Sequence, residues 1–372
     1  MKLTIERAAL AGALAHVQSV VERRNTIPIL SNVLLEAGEG GLSLTATDMD
    51  IAMVEKVSAT VGAPGSVTLP AHTLHDIVRK LPDGAQIELA SDEGSERTTL
   101  SAGRSRFTLA SLPTEDFPVM TDGALPHEFS LPAGELKNLI DRTRFAMSTE
   151  ETRYYLNGIY LHAVKSDKVD VLRAVATDGH RLARVEIPQP SGASGMPGII
   201  VPRKAVSELH KLIEDSESSI SIALSDTKIR FSFEGIVLTS KLIDGTFPDY
   251  EKVIPAGNDK VMEVDCKAFA EAVDRVATIS TEKSRAVKIS LGSGSVTLSA
   301  SSPEQGTASE EVEASYSSDT FEIGFNARYL LDIAQQIEGG TAQFTLADAS
   351  SPTIVRDVSD ASALYVLMPM RV

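Results

Sequence analysis

The chain has 372 residues, of which 42% are hydrophobic and 23% charged, the proportions of a soluble globular protein with two or three domains. Its net charge of −16 argues against a protein that binds nucleic acid over its whole surface, because phosphate binding depends on Lys and Arg. The single cysteine, Cys266, excludes an intrachain disulfide, and no apolar run approaches the roughly 20 residues that span a bilayer, so we expect a cytoplasmic protein.

A strand followed by a helix recurs along the chain. The copies begin at six positions, namely Leu3, Ser66, Phe129, Gly198, Met262 and Phe321. In the first copy, Leu10, Leu14 and Val17 are spaced for one face of a helix, and the other copies repeat this spacing. The recurrence predicts six related units.

Short segments with alternating apolar residues follow the helices. They are residues 41–47, 85–90, 95–100, 104–109, 220–224, 228–233, 236–242 and 287–291. Each unit is therefore a strand, a helix and about three strands in roughly 60 residues. Two units form a domain, so we predict an α+β protein of three similar tandem domains at residues 1–124, 128–254 and 256–372. Linkers are expected at residues 122–127 and 255–260.

Edge strands of antiparallel sheets must be covered or paired. Continuation of the sheets from one domain to the next would pair most of these edges. A linear array still leaves two edges, and closure into a ring, within one chain or between two, would remove them.

Catalytic motifs for phosphate loops, dinucleotide binding, zinc proteases and serine nucleophiles are absent from the sequence. Asp48 and Asp50 are two residues apart, a spacing that would suit a shared metal in a nuclease. No third acidic or His ligand lies nearby in the sequence, and a solvated strand end is the simpler interpretation.

The segment ATDGHRLA contains Asp178, His180 and Arg181, which together would suit acid–base chemistry. It aligns with residues 45–52 and 300–306 of the other domains, so a turn common to the repeats is favoured. Cys266 lies between a strand and a helix and is interpreted as a small half-buried residue rather than a reactive thiol.

Basic residues recur on or beside all six predicted helices. They are Arg23, Arg24, Arg79, Lys80, Lys137, Arg142, Arg144, Arg203, Lys204, Lys211, Lys267, Arg275 and Arg328. Arg153, Tyr154 and Tyr155 join a cation to two aromatic rings, a combination that suits contact with nucleic acid. Six equivalent helices indicate a common task, although solvation explains any single one.

Long ordered segments resemble the bacterial DNA polymerase III beta subunits, the sliding clamps, over essentially the whole chain. They are MKLTIERAAL, IPILSNVLLE, GRSRFTLASLPTEDFP, RYYLNG, ATDGHRLA, IVPRKAV, TSKLIDGTFPDY and YVLMPMRV. The resemblance implies a head-to-tail homodimeric ring that encircles duplex DNA and tethers the replicative polymerase. It implies no catalysis and no cofactor or metal. The implied partners are DNA, a second copy, the polymerase III alpha subunit, a clamp loader, and other clamp-binding repair proteins and polymerases.

The resemblance also assigns roles to residues. Those that would touch DNA are Arg24, Tyr154, Tyr155, Lys204 and Arg285. A pocket for partner peptides would comprise Leu156, Thr177, Gly179, His180, Arg181, Leu182, Pro248, Lys252, Val253, Asn326, Tyr329, Val366, Met368, Pro369, Met370 and Arg371. The dimer interface would comprise Arg104, Arg106, Phe107, Leu109, Ile279 and Glu304.

The sequence departs from the family pattern at a few of these sites. Glu150 replaces a neutral amide beside the DNA, and Lys252 and Ser284 replace an expected Arg and Phe of the pocket. Gly306 and Thr307 replace acidic residues at the interface, which predicts a thinner ionic rim.

Two other functions remain as alternatives. One is a metal-dependent nuclease or phosphoesterase that uses Asp48 and Asp50. The other is a protein-binding scaffold that never surrounds DNA. The net charge is compatible with a ring, because an acidic outer face would repel DNA while a mildly basic inner wall contacts its phosphates.

Overall fold

The computed structural model describes residues 1–92, 94, 96–121, 123–280 and 285–371. Within them the α-helices are α1 (Arg7–Val17), α2 (Ala71–Lys80), α3 (Ala133–Arg144), α4 (Arg203–Ile213), α5 (Cys266–Ala277) and α6 (Ala327–Ala334). The apolar face predicted for α1 is confirmed, since Leu10, Leu14 and Val17 are fully buried. No helix in the described ranges has the length and apolar character needed to cross a membrane.

The strands follow the predicted alternation of apolar residues. They are β1 (Lys2–Glu6), β2 (Asn32–Gly38), β3 (Gly41–Thr47), β4 (Ile51–Val57), β5 (Thr60–Ala63), β6 (Gly65–Pro70), β7 (Gln86–Ala90), β8 (Arg97–Ala102), β9 (Ser105–Ala110), β10 (His127–Pro132), β11 (Gly158–Ser166), β12 (Val169–Thr177), β13 (Arg181–Pro188), β14 (Ile199–Pro202), β15 (Ser219–Leu224), β16 (Lys228–Phe233), β17 (Ile236–Lys241), β18 (Lys260–Asp265), β19 (Ala286–Gly292), β20 (Ser295–Ser302), β21 (Gly306–Tyr316), β22 (Glu322–Asn326), β23 (Thr341–Leu346), β24 (Thr353–Asp357) and β25 (Asp360–Leu367). Short 3-10 helices lie at Pro28–Ser31, Thr114–Asp116, Glu151–Leu156 and Tyr250–Val253.

The first of two compact units consists of Met1–Lys137, Pro190–Pro197 and Lys204–Leu242. It contains a five-stranded sheet in the order β5-β1-β7-β8-β9 and an eight-stranded sheet in the order β10-β15-β16-β17-β4-β3-β2-β6. Strand β17 of the central third pairs antiparallel with β4 of the first third, with Leu238 opposite Met53. The sheet therefore continues across the first predicted domain boundary.

The second unit consists of Asn138–Gln189, Gly198–Arg203 and Ile243–Val372. Its twelve strands follow the order β14-β11-β12-β13-β25-β24-β23-β18-β21-β20-β19-β22. Strand β13 of the central third pairs antiparallel with β25 of the last third, with Leu182 opposite Val366. The predicted continuation of sheets between domains is thus present at this boundary too, and it explains why both units extend into the central third.

Each strand that precedes a helix pairs with the other half of its own third. Strand β1 pairs with β7, and β6 pairs with β2. The same exchange joins β10 to β15 and β14 to β11, and it joins β18 to β23 and β22 to β19. The recurrence of this exchange in all three thirds, always with antiparallel pairing, supports the predicted α+β architecture of three similar tandem domains.

Candidate functional site

The turn between β12 and β13 carries several of the predicted pocket residues. Asp178 Oδ1 accepts hydrogen bonds from the backbone N–H groups of His180 (2.9 Å) and Arg181 (3.0 Å). Gly179 has a φ of 88°, a conformation that side chains rarely adopt. The Asp178 carboxylate therefore stabilises the turn, which supports the turn interpretation over acid–base chemistry.

Arg181 has its whole guanidinium group engaged within the protein. Its side chain is 8% exposed and forms ion pairs with Asp178 (3.1 Å) and with Asp332 of α6. Nη2 donates to the Phe145 carbonyl (2.5 Å), and the guanidinium carbon lies 4.3 Å from the Tyr329 ring centroid. Arg181 thus fixes the start of β13 relative to α6 and to Tyr329, and we regard it as a support of the pocket.

An apolar cluster lies beneath this turn. Its buried members are Leu156, Val175, Leu182, Ile200, Phe247, Tyr250, Ile354, Leu364 and Val366. Three of them, Leu156, Leu182 and Val366, were predicted pocket residues, and the fold brings them together although they are far apart in the sequence.

The tail after β25 runs along the same turn. The Met368 N–H donates to the His180 carbonyl (2.9 Å), and the Met370 N–H donates to the Gly324 carbonyl (2.8 Å). The His180 ring stacks on Tyr329, with 6.4 Å between ring centroids. Met368 is 36% exposed, so the tail presents an apolar side chain to solvent where its backbone bonds to the turn.

The other predicted pocket residues lie on adjoining segments of the same unit. Thr177 begins the turn, and its hydroxyl donates to the Arg181 carbonyl. Asn326 caps the start of α6, where its side-chain oxygen accepts a hydrogen bond from the backbone N–H of Arg328 (2.9 Å). Pro369 is half-buried, whereas Pro248 and Arg371 are exposed.

The 3-10 helix Tyr250–Val253 carries two exposed pocket residues. The Lys252 side chain is 82% exposed, and its ammonium group pairs with Asp249 (2.9 Å). Val253 is 44% exposed. The predicted pocket therefore has a cationic side chain on this segment, where the departure from the family pattern occurs.

Arg173 of β12 anchors this 3-10 helix. Its side chain is 3% exposed, and Nη1 donates to the Tyr250 hydroxyl and to Glu251 Oε1, both at 2.6 Å. Nε donates to Glu186 Oε1 (2.8 Å). A buried cation is tolerated only when it is paired in this way, so Arg173 holds Tyr250 and Glu251 in place.

His162 belongs to the same group of side chains. Its Nε2 lies 3.0 Å from the Tyr250 hydroxyl, and its ring stacks on Tyr160 at 4.6 Å between centroids. Burial and then the charge of Arg173 lower the pKa of His162 to about 4, against the opposing effects of Glu251 and Glu186. The imidazole is therefore neutral at pH 7.

We expect the free energy of unfolding to fall as the pH is lowered from about 6.5 to about 4, because unfolded His162 binds a proton there and folded His162 does not. The full pKa shift corresponds to a loss of about 3 kcal/mol. The loss is smaller than this because solvent screens the partly exposed ring. Urea unfolding at pH 7 and pH 4.5 measures it. His162→Gln should lose less stability over this interval, and an equal loss in both proteins would contradict the assignment.

The predicted DNA contacts lie on exposed segments. Arg24 follows α1 and is exposed, and Arg285 precedes β19 with a φ of 42°. Tyr154 is 53% exposed in the 3-10 helix Glu151–Leu156, and its ring meets Tyr155 edge to face at 5.7 Å. The two tyrosines contact each other. Contact with DNA stays a prediction for Arg24, Arg285, Tyr154 and Tyr155.

Lys204 differs from the other predicted DNA contacts because its charge is already matched. Its Nζ binds Glu22, Asp48 Oδ2 (2.6 Å) and the Val20 carbonyl (3.1 Å). These bonds connect the start of α4 to the segment after α1. A DNA phosphate would have to compete with two carboxylates for this ammonium group.

Both carboxylates of the nuclease hypothesis also face lysines. Asp48 pairs with Lys204, and Asp50 pairs with Lys241 at 3.0 Å. Asp48 Oδ1 further accepts the backbone N–H groups of Asp50 (2.9 Å) and Ile51 (2.8 Å). Within the described ranges, no group of three or more His, Cys, Asp or Glu residues is placed to hold a metal. The geometry gives this hypothesis no support.

Arg142 corrects one sequence interpretation. The sequence groups it with the basic residues that recur on all six helices and indicate a common task, but it is 6% exposed. Its guanidinium donates to Asp360 (2.6 Å), Ser362 (3.2 Å) and the Tyr365 hydroxyl (3.3 Å) of β25. The sequence does hold a signal, because Arg142 lies three residues after the buried Leu139 and so flanks the apolar face of α3.

The predicted interface residues belong to different compact units, with β9 in the first unit and the residues near α5 and β21 in the second. Strand β9 is the last strand of its sheet, and Phe107 and Leu109 share one face of it while Arg104 and Arg106 are exposed. In the other unit, half-buried Ile279 follows α5, and exposed Glu304 precedes β21.

Sequence reasoning did not find Arg173 or Asp332. Their partners are distant in the sequence, and a lone charged residue in a strand or helix carries no sign of burial. Only knowledge of which strands are neighbours would have identified them.

Comparison with known proteins shows a match along the chain. The family model of the DNA polymerase III beta subunit matches by its N-terminal domain at residues 1–121, its central domain at 130–249 and its C-terminal domain at 251–371. The chain is 55% identical over 372 residues to the beta sliding clamp of Caulobacter vibrioides, with complete coverage of both chains.

Solved structures agree with this match. A crystal structure of the C. crescentus beta sliding clamp superposes with a TM-score of 0.98 at 55% identity, covering 100% of this chain and 99% of the other. The sliding clamp of Bartonella birtlesii, solved bound to griselimycin, gives a TM-score of 0.97 at 51% identity with both chains fully covered.

Proposed function

The chain belongs to the DNA polymerase III beta subunit family, and we propose on that premise that two copies close head to tail into a ring around duplex DNA. The protein is a sliding clamp and processivity factor, not an enzyme: it keeps the replicative polymerase on DNA. Enclosure needs no tight grip, which fits a net charge of −16.

The pairing of strands across the chain's own domain boundaries carries the proposal of a ring. Strands β4, β13 and β21 are equivalent in the three repeats, as are β17, β25 and β9. The chain pairs β17 with β4 and β25 with β13. Among the described residues, β9 has one neighbour, and β21 pairs with β20 at Gly306–Glu313 and with β18 only at Ala314–Tyr316. A second copy that places β21 beside β9 repeats the pattern, and two such junctions close the ring.

The proposed junction also accounts for the side chains. Phe107, Leu109 and Ile279 supply its apolar centre. Arg104 and Arg106 are proposed to face acidic residues of the partner near Glu304. The ionic rim is thinner there, because Gly306 and Thr307 stand where the family has acidic residues.

Within the ring, we assign DNA contact to Arg24, Tyr154, Tyr155 and Arg285, with Lys204 contributing where a phosphate displaces its carboxylate partners. Such contacts position the duplex without reading bases, as sliding requires. Glu150 pairs with Arg153 at 3.3 Å and weakens the positive field beside the two tyrosines.

The pocket of the second unit is proposed to bind short apolar segments of the polymerase alpha subunit, of a clamp loader, and of other clamp-binding repair proteins and polymerases. Support comes from the buried cluster, from the exposed Met368, whose backbone bonds to His180, and from the flexibility of methionine, which suits several partners. Lys252 favours an acidic residue at the edge of the bound segment. Ser284, the other departure, lies outside the described residues.

We also propose that the three domains span residues 1–124, 128–254 and 256–372. The cytoplasm, where a bacterial chromosome is replicated, is the proposed location.

Loading on a circular plasmid tests the ring. The protein is loaded on nicked circular DNA with its clamp loader and ATP, and half of the sample is then cut once with a restriction enzyme. We expect co-elution with the circle on gel filtration and loss from the linear form, because a ring slides off free ends. Linear DNA with both ends blocked by bound protein is the control and should retain it.

Equal retention on open linear and circular DNA would contradict enclosure. Absence from both forms would favour the scaffold that never surrounds DNA. Metal-dependent cleavage lost on Asp48→Ala would instead support the nuclease.

A further inference from the structure

We propose that Arg142 is a positioning residue for the partner pocket. Its bonds from α3 hold β25 in place, so that the tail after β25 lies against the ATDGHRLA turn. This inference rests on the proposed role of the pocket. It assigns to a buried arginine of α3 an effect on polymerase binding, although Arg142 itself is not one of the proposed pocket residues.

The contacts of Arg142 extend over most of β25. Asp360 is the first residue of the strand and pairs with Nη1 at 2.6 Å. Ser362 Oγ accepts from the same nitrogen at 3.2 Å, and the Tyr365 hydroxyl accepts from Nε at 3.3 Å. One side chain thus contacts the strand at three positions within six residues. These contacts fix the position of β25 relative to α3.

The pocket lies on the end of β25 beyond Ser362, where the strand pairs regularly with β13 from Ala363 to Leu367. The pairing with β24 is irregular between Asp360 and Tyr365, so the alternation of faces is counted only from Ala363 onward. Neighbouring residues of a strand point to opposite faces. Leu364 and Val366 therefore face the apolar cluster with Leu156 and Leu182. Tyr365, which is fully buried between them in sequence, faces the end of α3. A shift of the strand on the Arg142 side moves Leu364 and Val366 by the same amount.

The tail transmits this position to solvent. Two residues after Val366, the Met368 N–H bonds to the His180 carbonyl at 2.9 Å. This bond forms only if the end of β25 is correctly positioned beside the turn that contains His180. The exposed side chain of Met368 is therefore placed by a strand that is held by its ladders with β13 and β24 and, through its side chains, by Arg142.

The ionic arrangement around Arg142 favours one state. Burial would raise the pKa of Asp360, but hydrogen bonds from Ser362 and from Arg142 hold it below its ordinary value, so the carboxylate is charged at pH 7. The Arg142 side chain is 7% exposed, so removal of Asp360 leaves a buried charge without its counterion, whereas the Asp360 side chain is 35% exposed.

Arg142→Met tests the inference, because it keeps the length of the side chain and removes its donors. We expect about a tenfold or larger rise in the dissociation constant for the purified polymerase alpha subunit. Polymerase stimulation should return to the normal maximum at saturating clamp concentration, since positioning affects binding and not the polymerase step. The dimer dissociation constant should stay unchanged, because β9 and β21 make no bond to Arg142.

Arg7→Met is the matched control. Arg7 begins α1, its side chain is 20% exposed, and it pairs with Asp83 (3.0 Å) and donates to the Arg79 carbonyl (2.6 Å), in the unit that does not carry the pocket. The change of charge is the same, and we expect the affinity for the polymerase to remain within twofold. Arg142→Lys keeps the ion pair with Asp360 but not the bond to Tyr365, so its affinity should be intermediate.

A double-mutant cycle separates positioning from general stability. If Arg142 acts through the tail, Arg142→Met should weaken binding far less in a Met368→Ala background than in the unmodified protein. Additive effects, or an Arg142→Met protein that melts at lower temperature yet binds with unchanged affinity, would overturn the inference. Should Arg142→Met not fold, Arg142→Lys and Asp360→Asn replace it in the same cycle.

The same data keep the two proposals apart. If Met368→Ala leaves polymerase binding unchanged, the pocket itself is misplaced. If Met368→Ala weakens binding and the Arg142 variants do not, only the positioning role fails.

Discussion

We expect removal of the tail, residues 368–372, to reduce polymerase stimulation to the level seen without clamp while the dimer persists. Val372 of this segment lies outside the described residues. The truncation deletes the exposed Met368 and the two backbone hydrogen bonds to His180 and Gly324. Each such bond contributes about 1 kcal/mol, so the remaining fold should tolerate the loss. Primer extension on a loaded circular template measures stimulation, and sedimentation equilibrium measures the dimer.

A single substitution sharpens this result. Met368→Ala should weaken polymerase binding by at least about tenfold, the effect of removing one apolar side chain worth about 1.5 kcal/mol or more from an interface. Met49→Ala is the matched control, since Met49 is a 48% exposed methionine in the equivalent turn of the first repeat. Full stimulation by the truncated protein, or an equal loss in both methionine variants, would show that the pocket is wrongly placed.

The local elements of this fold were within reach of the sequence. The segments predicted at residues 41–47 and 228–233 coincide with β3 and β16, and residues 236–242 differ from β17 by one residue. These strands have one buried face, which leaves a clear alternation of apolar residues. The helices likewise begin where polar caps follow short strands, as Glu6 and Asp265 do for α1 and α5.

The pairing of these strands could not be predicted from the sequence in the same way. Nothing in the sequence of β1 says that it lies beside β7 rather than beside β2, which follows it directly after α1. The alternation of side chains specifies which face is buried, but the neighbour depends on how the helix between two strands packs. Repeat symmetry together with edge pairing predicted that sheets continue between domains, yet it could not name β17 and β4, or β13 and β25.

The candidate site divides along the same line. The pocket residues were assigned through resemblance, because ATDGHRLA and YVLMPMRV are distinctive as written. Their supports were not found: the position of Arg142 beside the apolar face of α3 was not recognised, and Arg173 carries no sign of burial in the sequence. Burial turns such residues from surface charges into anchors, and burial is a property of the assembled sheets.

The net charge shows the same limit of whole-chain reasoning. A sum of −16 excludes a protein coated with DNA-binding residues, but it says nothing of where the cations lie. In the structure many of them are taken up by carboxylates, as Lys204 is by Glu22 and Asp48. A cation paired in this way is less available to phosphates, and this suits retention by enclosure, where a strong grip would slow sliding.

Phe107→Asp is expected to split the dimer and to abolish retention on circular DNA. Phe107 is half-buried on the edge strand β9, whereas Leu109 on the same face is 9% exposed within the single chain and would perturb its fold. Burial of a Phe side chain contributes about 1.5–3 kcal/mol, and a ring with two identical junctions loses this twice. The dimer dissociation constant should therefore rise by about 100- to 10,000-fold, as measured by sedimentation equilibrium.

Val61→Asp provides the matched control for this substitution. Val61 is half-buried on β5, the opposite edge strand of the same five-stranded sheet, which has no place in the proposed junction. It should leave both the dimer and plasmid retention unchanged, while thermal unfolding shows that the two variant chains are equally folded. A Phe107→Asp protein that stays dimeric, or one that is monomeric yet retained on circles and lost from linear DNA, would break the link between edge pairing and enclosure. The first result would move the junction away from β9; the second would mean that one chain alone can surround the duplex.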